Sequence, residues 1–395
     1  MKKFISAIFV LTCLLLCSCS LYNKEYRSVE DYEIPSQTTG TASSESVNVS
    51  NITQLRSALI RMIYSSASEG RITFASDYNG DVASDIESAC WQVRTQDAVS
   101  AYCVRNISYE LDKIVSYYEA ALDISYYESA MPADEIVMKQ YAAGIEELLL
   151  AAMQENDARL VICVNNSSLT KSSLESMITD VYRNNPAAIV TEPDANVLMY
   201  SGSGKQRLYE INFDYKLETD EILRRRSLLM NLDISENIGL EEDDSDAVKA
   251  YRICKYFVDS GSIVSDSGAD TVYDAIIRFN AGDEGYALAF EELCRQVGIE
   301  CDTVYGQKGG RQYCWNIANI EGDYYHIDVC DCITSGIESG FLLNDVQKWN
   351  TCRWNTSSYH SCSGKLEYDD IQQIVEQEPY YFDAETEPED IADEY

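Results

Sequence analysis

Thiols and imidazoles are the side chains here best suited to reactive chemistry, and the chain holds fourteen cysteines and two histidines. Three cysteines fall in the first nineteen residues. The other eleven are Cys90, Cys103, Cys163, Cys254, Cys294, Cys301, Cys314, Cys330, Cys332, Cys352 and Cys362, and seven of them crowd between 294 and 362. Disulfides, a zinc centre and a thiol–imidazole nucleophile are the chemistries such a set could support. An odd number leaves at least one thiol unpaired, and Cys90 and Cys163 sit in apolar patterns where cysteine acts as a small core residue. No pair has C-x-x-C spacing, and two histidines are few for zinc, so no metal and no cofactor are expected.

The elements that must position these groups are legible between 281 and 330. Residues 281–296 read as a turn feeding a helix with one apolar face, which should stop at Gly298, a residue suited to a left-handed cap. A strand over 301–306 follows, then two more over 312–320 and 324–330 around a Glu321-Gly322 turn. Centring that hairpin pairs Ile320 with Asp323, Trp315 with Asp328 and Tyr313 with Cys330, which puts Tyr313, His326, Asp328 and Cys330 on one face. His326 and Cys330 are then roughly 13 Å apart at ~3.3 Å per residue, too far to share a proton. Cys314 points to the opposite face. Cys301 and Cys314 would lie on neighbouring strands, the likeliest bridge if one forms. His326 is expected to bond a neighbour such as Asp328, and Trp315 to be core or cleft wall.

The same stretch carries Gly285-Tyr286-Ala287 at the helix start, Gly298-Ile299 at its end, Trp315-Asn316, Tyr324-Tyr325-His326, Asp328 and Phe341-Leu342-Leu343-Asn344-Asp345. In that order they resemble the transglutaminase-like superfamily, whose members share the papain-like cysteine-enzyme fold. The resemblance covers about a third of the chain and implies a Cys-His-Asp triad. Carried over position by position, the Cys place is Asp283, the His place is Tyr313, and only the Asp place, Asp328, is kept. That chemistry needs a thiol of lowered pKa, an imidazole to take its proton and a carboxylate to orient the ring. Two of the three parts are missing. A carboxylate at a helix start is a good cap and a weak nucleophile, and a phenol of pKa about 10 is a poor base at neutral pH. The resemblance therefore implies a cleft lined by Asp283, Glu284, Tyr313, Trp315 and Asp328 that binds an extended peptide without cutting it, with its acidity favouring a basic ligand.

Two lysines, an apolar run over 4–16 and Leu16-Cys17-Ser18-Cys19 open the chain. The run is too short to span a bilayer and reads as an export signal over 1–18. Its end resembles the lipobox of bacterial lipoproteins, which makes Cys19 the lipidated residue; a plain secretory signal cut nearby is the alternative. Residues 19–48 then form the anchor and a Ser/Thr-rich linker. The far end, 373–395, is an acidic tail, with nine acidic and no basic residues from 376 onward. The expected location is extracytoplasmic, tied to the bacterial membrane by its N-terminus.

Between linker and tail a repeat is visible. Ile86-Glu87-Ser88 before Val93 recurs as Leu174-Glu175-Ser176 before Val181, and Arg71-Ile72-Thr73-Phe74 recurs as Arg159-Leu160-Val161-Ile162. Each copy is preceded by an apolar helix, over 55–63 and 145–153, and followed by a run of period two, over 107–111 and 211–217. Two small α+β modules, 49–135 and 136–235, are expected ahead of a transglutaminase-like domain over 236–372. With 66 acidic against 30 basic residues and a formal charge of −36, the chain repels phosphate backbones, so nucleic acid is no partner. The reading is an α+β surface lipoprotein whose transglutaminase-like domain is inactive and binds a surface protein or cell-wall peptide. An active cysteine peptidase, acyltransferase or hydrolase with a rearranged site is the alternative, and a purely structural domain is a third.

Overall fold

The computed structural model describes residues 46–241, 243–264 and 269–375. The export segment, Cys19, nearly all of the linker and the tail from 376 lie outside them. What is described is an α+β architecture with three four-stranded sheets.

The first sheet begins with β1 (Val47–Asn51), whose last residue turns the chain into α1 (Ile52–Tyr64) by capping it: the Asn51 side chain accepts the Gln54 amide at 3.0 Å. Strand β2 (Glu69–Asn79), helices α2 (Val82–Gln96) and α3 (Ala98–Cys103), and strands β3 (Val104–Ile114) and β4 (Tyr117–Tyr126) follow. The strand order is β1-β2-β4-β3, with β1 parallel to β2 and the rest antiparallel. The second sheet contains β5 (Val137–Tyr141), β6 (Arg159–Asn166), β7 (Asp194–Ser201) and β8 (Arg207–Asp214), interleaved with α4 (Ile145–Glu155) and α5 (Lys171–Asn184). Its order, β5-β6-β8-β7, and its strand directions repeat those of the first.

The topology corrects one equivalence. The alternating run at 107–111 lies in β3, an edge strand, whereas the run beginning at Ile211 lies in β8, an inner strand matching β4. Alternation reports which residues face inward and is blind to a strand's place in the order. Residues 215–217 have left the sheet.

Alternation also explains how the second sheet is used. Ile162, Val164, Tyr209 and Ile211 pack with α4 and α5, while Val161, Cys163 and Leu208 join the core of the first sheet. Gln206 fastens this junction. Its Oε1 accepts the Ala98 amide at 2.8 Å and its Nε2 donates to Asp97 Oδ2 at 3.2 Å.

Helices α6 (Thr219–Met230) and α7 (Asp246–Ser260) lead to α8 (Asp283–Gln296), which packs on the third sheet. Gly298, at φ +82°, takes the left-handed position after it. The sheet runs β11-β10-β9, from β9 (Cys301–Lys308), β10 (Arg311–Ile320) and β11 (Asp323–Ile327), with a short strand at Cys352–Arg353 on the edge. Glu321 and Gly322, both at positive φ, make the expected turn and pair Ile320 with Asp323.

Two strand ends differ from expectation. Strand β9 reaches Lys308 because the Gly309-Gly310 turn sustains pairing as far as Lys308 opposite Arg311. Strand β11 stops at Ile327 because Asp328 caps a new helix, α9 (Val329–Ser335), accepting the Asp331 amide at 2.9 Å. Cys330 is therefore helical and leaves the face it was expected to share. Helices α10 (Asp345–Trp349) and α11 (Tyr368–Val375) complete the fold. One continuous core runs from Ile145 to Ile371, across residue 236.

Candidate functional site

Three elements meet around Asp283, Tyr313 and Asp328. Asp283 is the first residue of α8, and its Oδ2 accepts the Cys314 backbone amide at 2.6 Å, pinning the helix start to β10. Tyr313 is one residue earlier on β10, facing the other way, and its hydroxyl donates to Asp328 Oδ1 at 2.9 Å. The three positions that the family resemblance singled out are thus neighbours in space.

They are joined by two lysines that sequence reasoning missed. Lys348, on α10 and fully buried, places Nζ 2.5 Å from Asp328 Oδ2. Lys308, at the end of β9, reaches Asp331 Oδ1 at 2.5 Å, Tyr313 Oη at 3.3 Å and Asp328 Oδ2 at 3.6 Å. The Gly309-Gly310 turn was the available signal for Lys308, since Gly306 opposes Tyr313 and Lys308 shares that face. Nothing in the local pattern marks Lys348, a lone lysine on a five-residue helix.

Burial alone would raise the Asp328 carboxyl; Lys348 and Lys308 overcome that and hold it below the ordinary carboxylate range. Burial and the Asp328 charge push the Tyr313 phenol far up, so it donates a proton to a hydrogen bond and cannot take one. Burial likewise raises Asp283. The nearby Cys314 and Cys330 thiols are both pushed up, again by burial first, so neither is an activated nucleophile at neutral pH.

The remaining candidates are placed differently. Glu284 turns toward the end of α5, where Arg183 Nη2 meets its Oε1 at 3.3 Å and the same guanidinium lies 3.7 Å from the Tyr305 ring centre. Trp315 and Asp328, each about 1 % exposed, support the site from beneath. Asp283, Glu284 and Tyr313 keep partial exposure. Part of the acidity is paired, Lys348 and Lys308 with Asp328 and Asp331 and Arg183 with Glu284, while Asp270 and Glu192 add further negative charge beside Asp283 and Glu284.

His326 does not bond Asp328. Its Nδ1 accepts the Trp315 indole N–H at 2.9 Å and its Nε2 meets Asp345 Oδ1 at 2.9 Å, with Ser361 donating to Asp345 Oδ2 at 2.8 Å. The register explains this: His326 pairs with Ile317, two residues from Trp315 on the same face. Indole is a donor only, so Nδ1 carries the lone pair and Nε2 the proton. Cys362 joins His326 and Asp345 in a cluster whose ligand atoms lie within 4.8 Å of one another. It does not fit a metal, because both ring nitrogens are committed, one as acceptor and one as donor to Asp345. An Nε2 that carries its proton cannot deprotonate Cys362 either.

All eleven described cysteines are free. The expected Cys301–Cys314 bridge is excluded by register, since Cys301 opposes Ala318 and Cys314 opposes Tyr305.

No family model and no curated protein matches the sequence. Among solved structures, a candidate cysteine protease from Cytophaga hutchinsonii is similar at 13 % identity, with 37 % of this chain and 63 % of that one covered and a TM-score of 0.24. A TGase overlaps at 9 % identity over 50 % of this chain and 60 % of its own, TM-score 0.26. A candidate protease from Parabacteroides distasonis overlaps at 8 % identity over 65 % and 39 %, TM-score 0.20. The match spans less than two thirds of each of these proteins, and overlaps this loose transfer no activity to the chain.

Proposed function

We propose that this is a lipid-anchored surface protein whose C-terminal part is a transglutaminase-like domain that has lost its chemistry and binds an extended peptide from a surface protein or the cell wall. One observation carries the reading: the three triad positions converge, yet they hold Asp283, Tyr313 and an Asp328 already neutralised by Lys348. A carboxylate free to orient an imidazole is what such an enzyme needs, and here it is spent on an ammonium and a phenol. The two sheets of equal topology are read as two copies of one module that precede this domain in the chain.

The binding surface is the partly exposed rim of Asp283, Glu284 and Tyr313 over the Trp315 wall. The carboxylates of Asp283, Asp270 and Glu192 beside it favour a basic group on the ligand. The test mixes the chain lacking its first nineteen residues with mass-tagged surface proteins and cell-wall peptides, recording retention and mass change together. Retention with no mass change, weakened by Tyr313→Phe, supports binding without turnover. Cleaved or cross-linked products in catalytic yield would overturn it.

A further inference from the structure

One cavity shares no lining residue with the surface around Asp283 and Tyr313. It lies between α7 and the end of α11, with about 140 Å³ of open space walled by Ile238, Tyr251, Tyr256, Phe279 and Val375. Tyr256 and Phe279 meet edge to face there, their ring centres 5.0 Å apart. An apolar space of this size holds one benzene-sized ring, and its walls forgo dispersion contacts until something enters it.

The course of the chain says what enters. Helix α11 lies on α7, with Ile371 buried and the Tyr368 ring 6.1 Å from that of Tyr251. Its last residue, Val375, is itself part of the cavity wall, and Ile374 beside it is 49 % exposed. The sequence then continues Glu376-Gln377-Glu378-Pro379-Tyr380-Tyr381-Phe382-Asp383, which contains the chain's only run of three aromatic residues. Three adjacent rings are out of place in a segment this acidic if it only meets solvent. Five residues separate Val375 from Tyr380, a reach of at most about 17 Å, so a ring of this run can return to the cavity that Val375 lines. Charge permits it as well. Lys255 meets Asp259 at 2.7 Å and Arg252 meets Asp244 at 3.6 Å, so in a chain of formal charge −36 this lining is close to neutral and does not repel the flanking carboxylates.

We infer that the cavity is the docking site of the chain's own segment Tyr380-Tyr381-Phe382, one ring of which fills it and ties the acidic tail back onto α7. A tether this short gives the segment an effective concentration in the millimolar range at the cavity. A contact too weak to hold a free peptide at micromolar concentration therefore still holds the attached one. The same arithmetic says that an added peptide of this sequence must compete with the tail already present.

The experiment compares two full chains, the unsubstituted one and one carrying Tyr380→Ser, Tyr381→Ser and Phe382→Ser together. Both keep every residue that lines the cavity. Each is titrated, up to millimolar, with a fluorescein-labelled peptide of residues 376–387 bearing a photoactivatable diazirine at the Ala384 position. The substituted chain should bind this peptide about tenfold or more tightly than the unsubstituted chain, whose own tail competes. Illumination should attach the peptide to segment 251–260 or to Phe279, and a peptide with serines at 380–382 should not bind. Equal affinity of the two chains, no binding by either, equal binding of the serine peptide, or attachment elsewhere would overturn the inference. Dimers of the unsubstituted chain that the serine substitutions dissolve, read by sedimentation, would place the segment in a second copy and overturn it too.

Discussion

Lys348 Nζ and Asp328 Oδ2 are 2.5 Å apart, with the side chains no more than 1 % exposed. A charge pair this dry is costly to assemble and far more costly to break on one side only. Replacing Lys348 by Met should cost on the order of 3–5 kcal/mol in urea unfolding, because Asp328 then has no ammonium closer than Lys308 and keeps only the neutral Tyr313 hydroxyl and Asp331 amide as donors. Replacing Asp328 by Asn at the same time should recover part of that loss, which a double-mutant cycle would read. Additive costs would show that the pair is not coupled.

Acid should act on the fold in two windows. Burial holds the His326 ring neutral and pushes its pKa down to about 4, against the pulls of Asp345 and Asp328 and with the push of Lys348. The unfolded chain then takes the proton first, so this contribution is complete above about pH 6.5 and drains away toward pH 4, about 3 kcal/mol in all. Asp328 has a lowered folded pKa, so its share persists above the unfolded value of about 3.9 and disappears only in stronger acid. An NMR titration placing the His326 ring near pH 6.5 would refute the first window.

Thiol reactivity tests the proposal that the chain has no cysteine nucleophile. Burial pushes Cys90 up to about 11 and Cys103 and Cys163 up to about 12, with Cys314, Cys330 and Cys362 raised as well. Ellman's reagent should label these six slowly in the folded, reduced protein at neutral pH, and quickly in urea. A single fast native thiol among them would revive the enzyme reading.

Gly306 lies against the Trp315 ring, where an added Cβ would come within 2.5 Å of ring carbon and of the Arg353 carbonyl oxygen. Gly306→Ala should therefore destabilise by about 1–3 kcal/mol and alter the near-UV tryptophan signal. A neutral result would mean that the ring has room to shift.

What the sequence could reveal follows the reach of local rules. The helix from Asp283 to Gln296, the Glu321-Gly322 turn and the pairing of Ile320 with Asp323 all depend on neighbours in sequence, and all were legible, whereas the expected pairs of Trp315 with Asp328 and Tyr313 with Cys330 do not form because the strand ends at Ile327. The capping that ends β11 at Ile327 is local too, but the apolar run from Tyr324 to Cys330 continues through Asp328 without a break and hides the cap. Lys348 comes from a separate helix, and its target is fixed only by tertiary packing. The link between His326 and Asp345 is of the same kind.

The second sheet is clad on both faces, by the first sheet's core on one side and by the long core reaching Ile371 on the other. Pulling the second sheet away from either neighbour would bare apolar side chains such as Val161 and Cys163 on one face or Ile162 and Val164 on the other. Residues 46–375 are therefore expected to unfold together and not as separate modules, however much the two sheets repeat each other in topology.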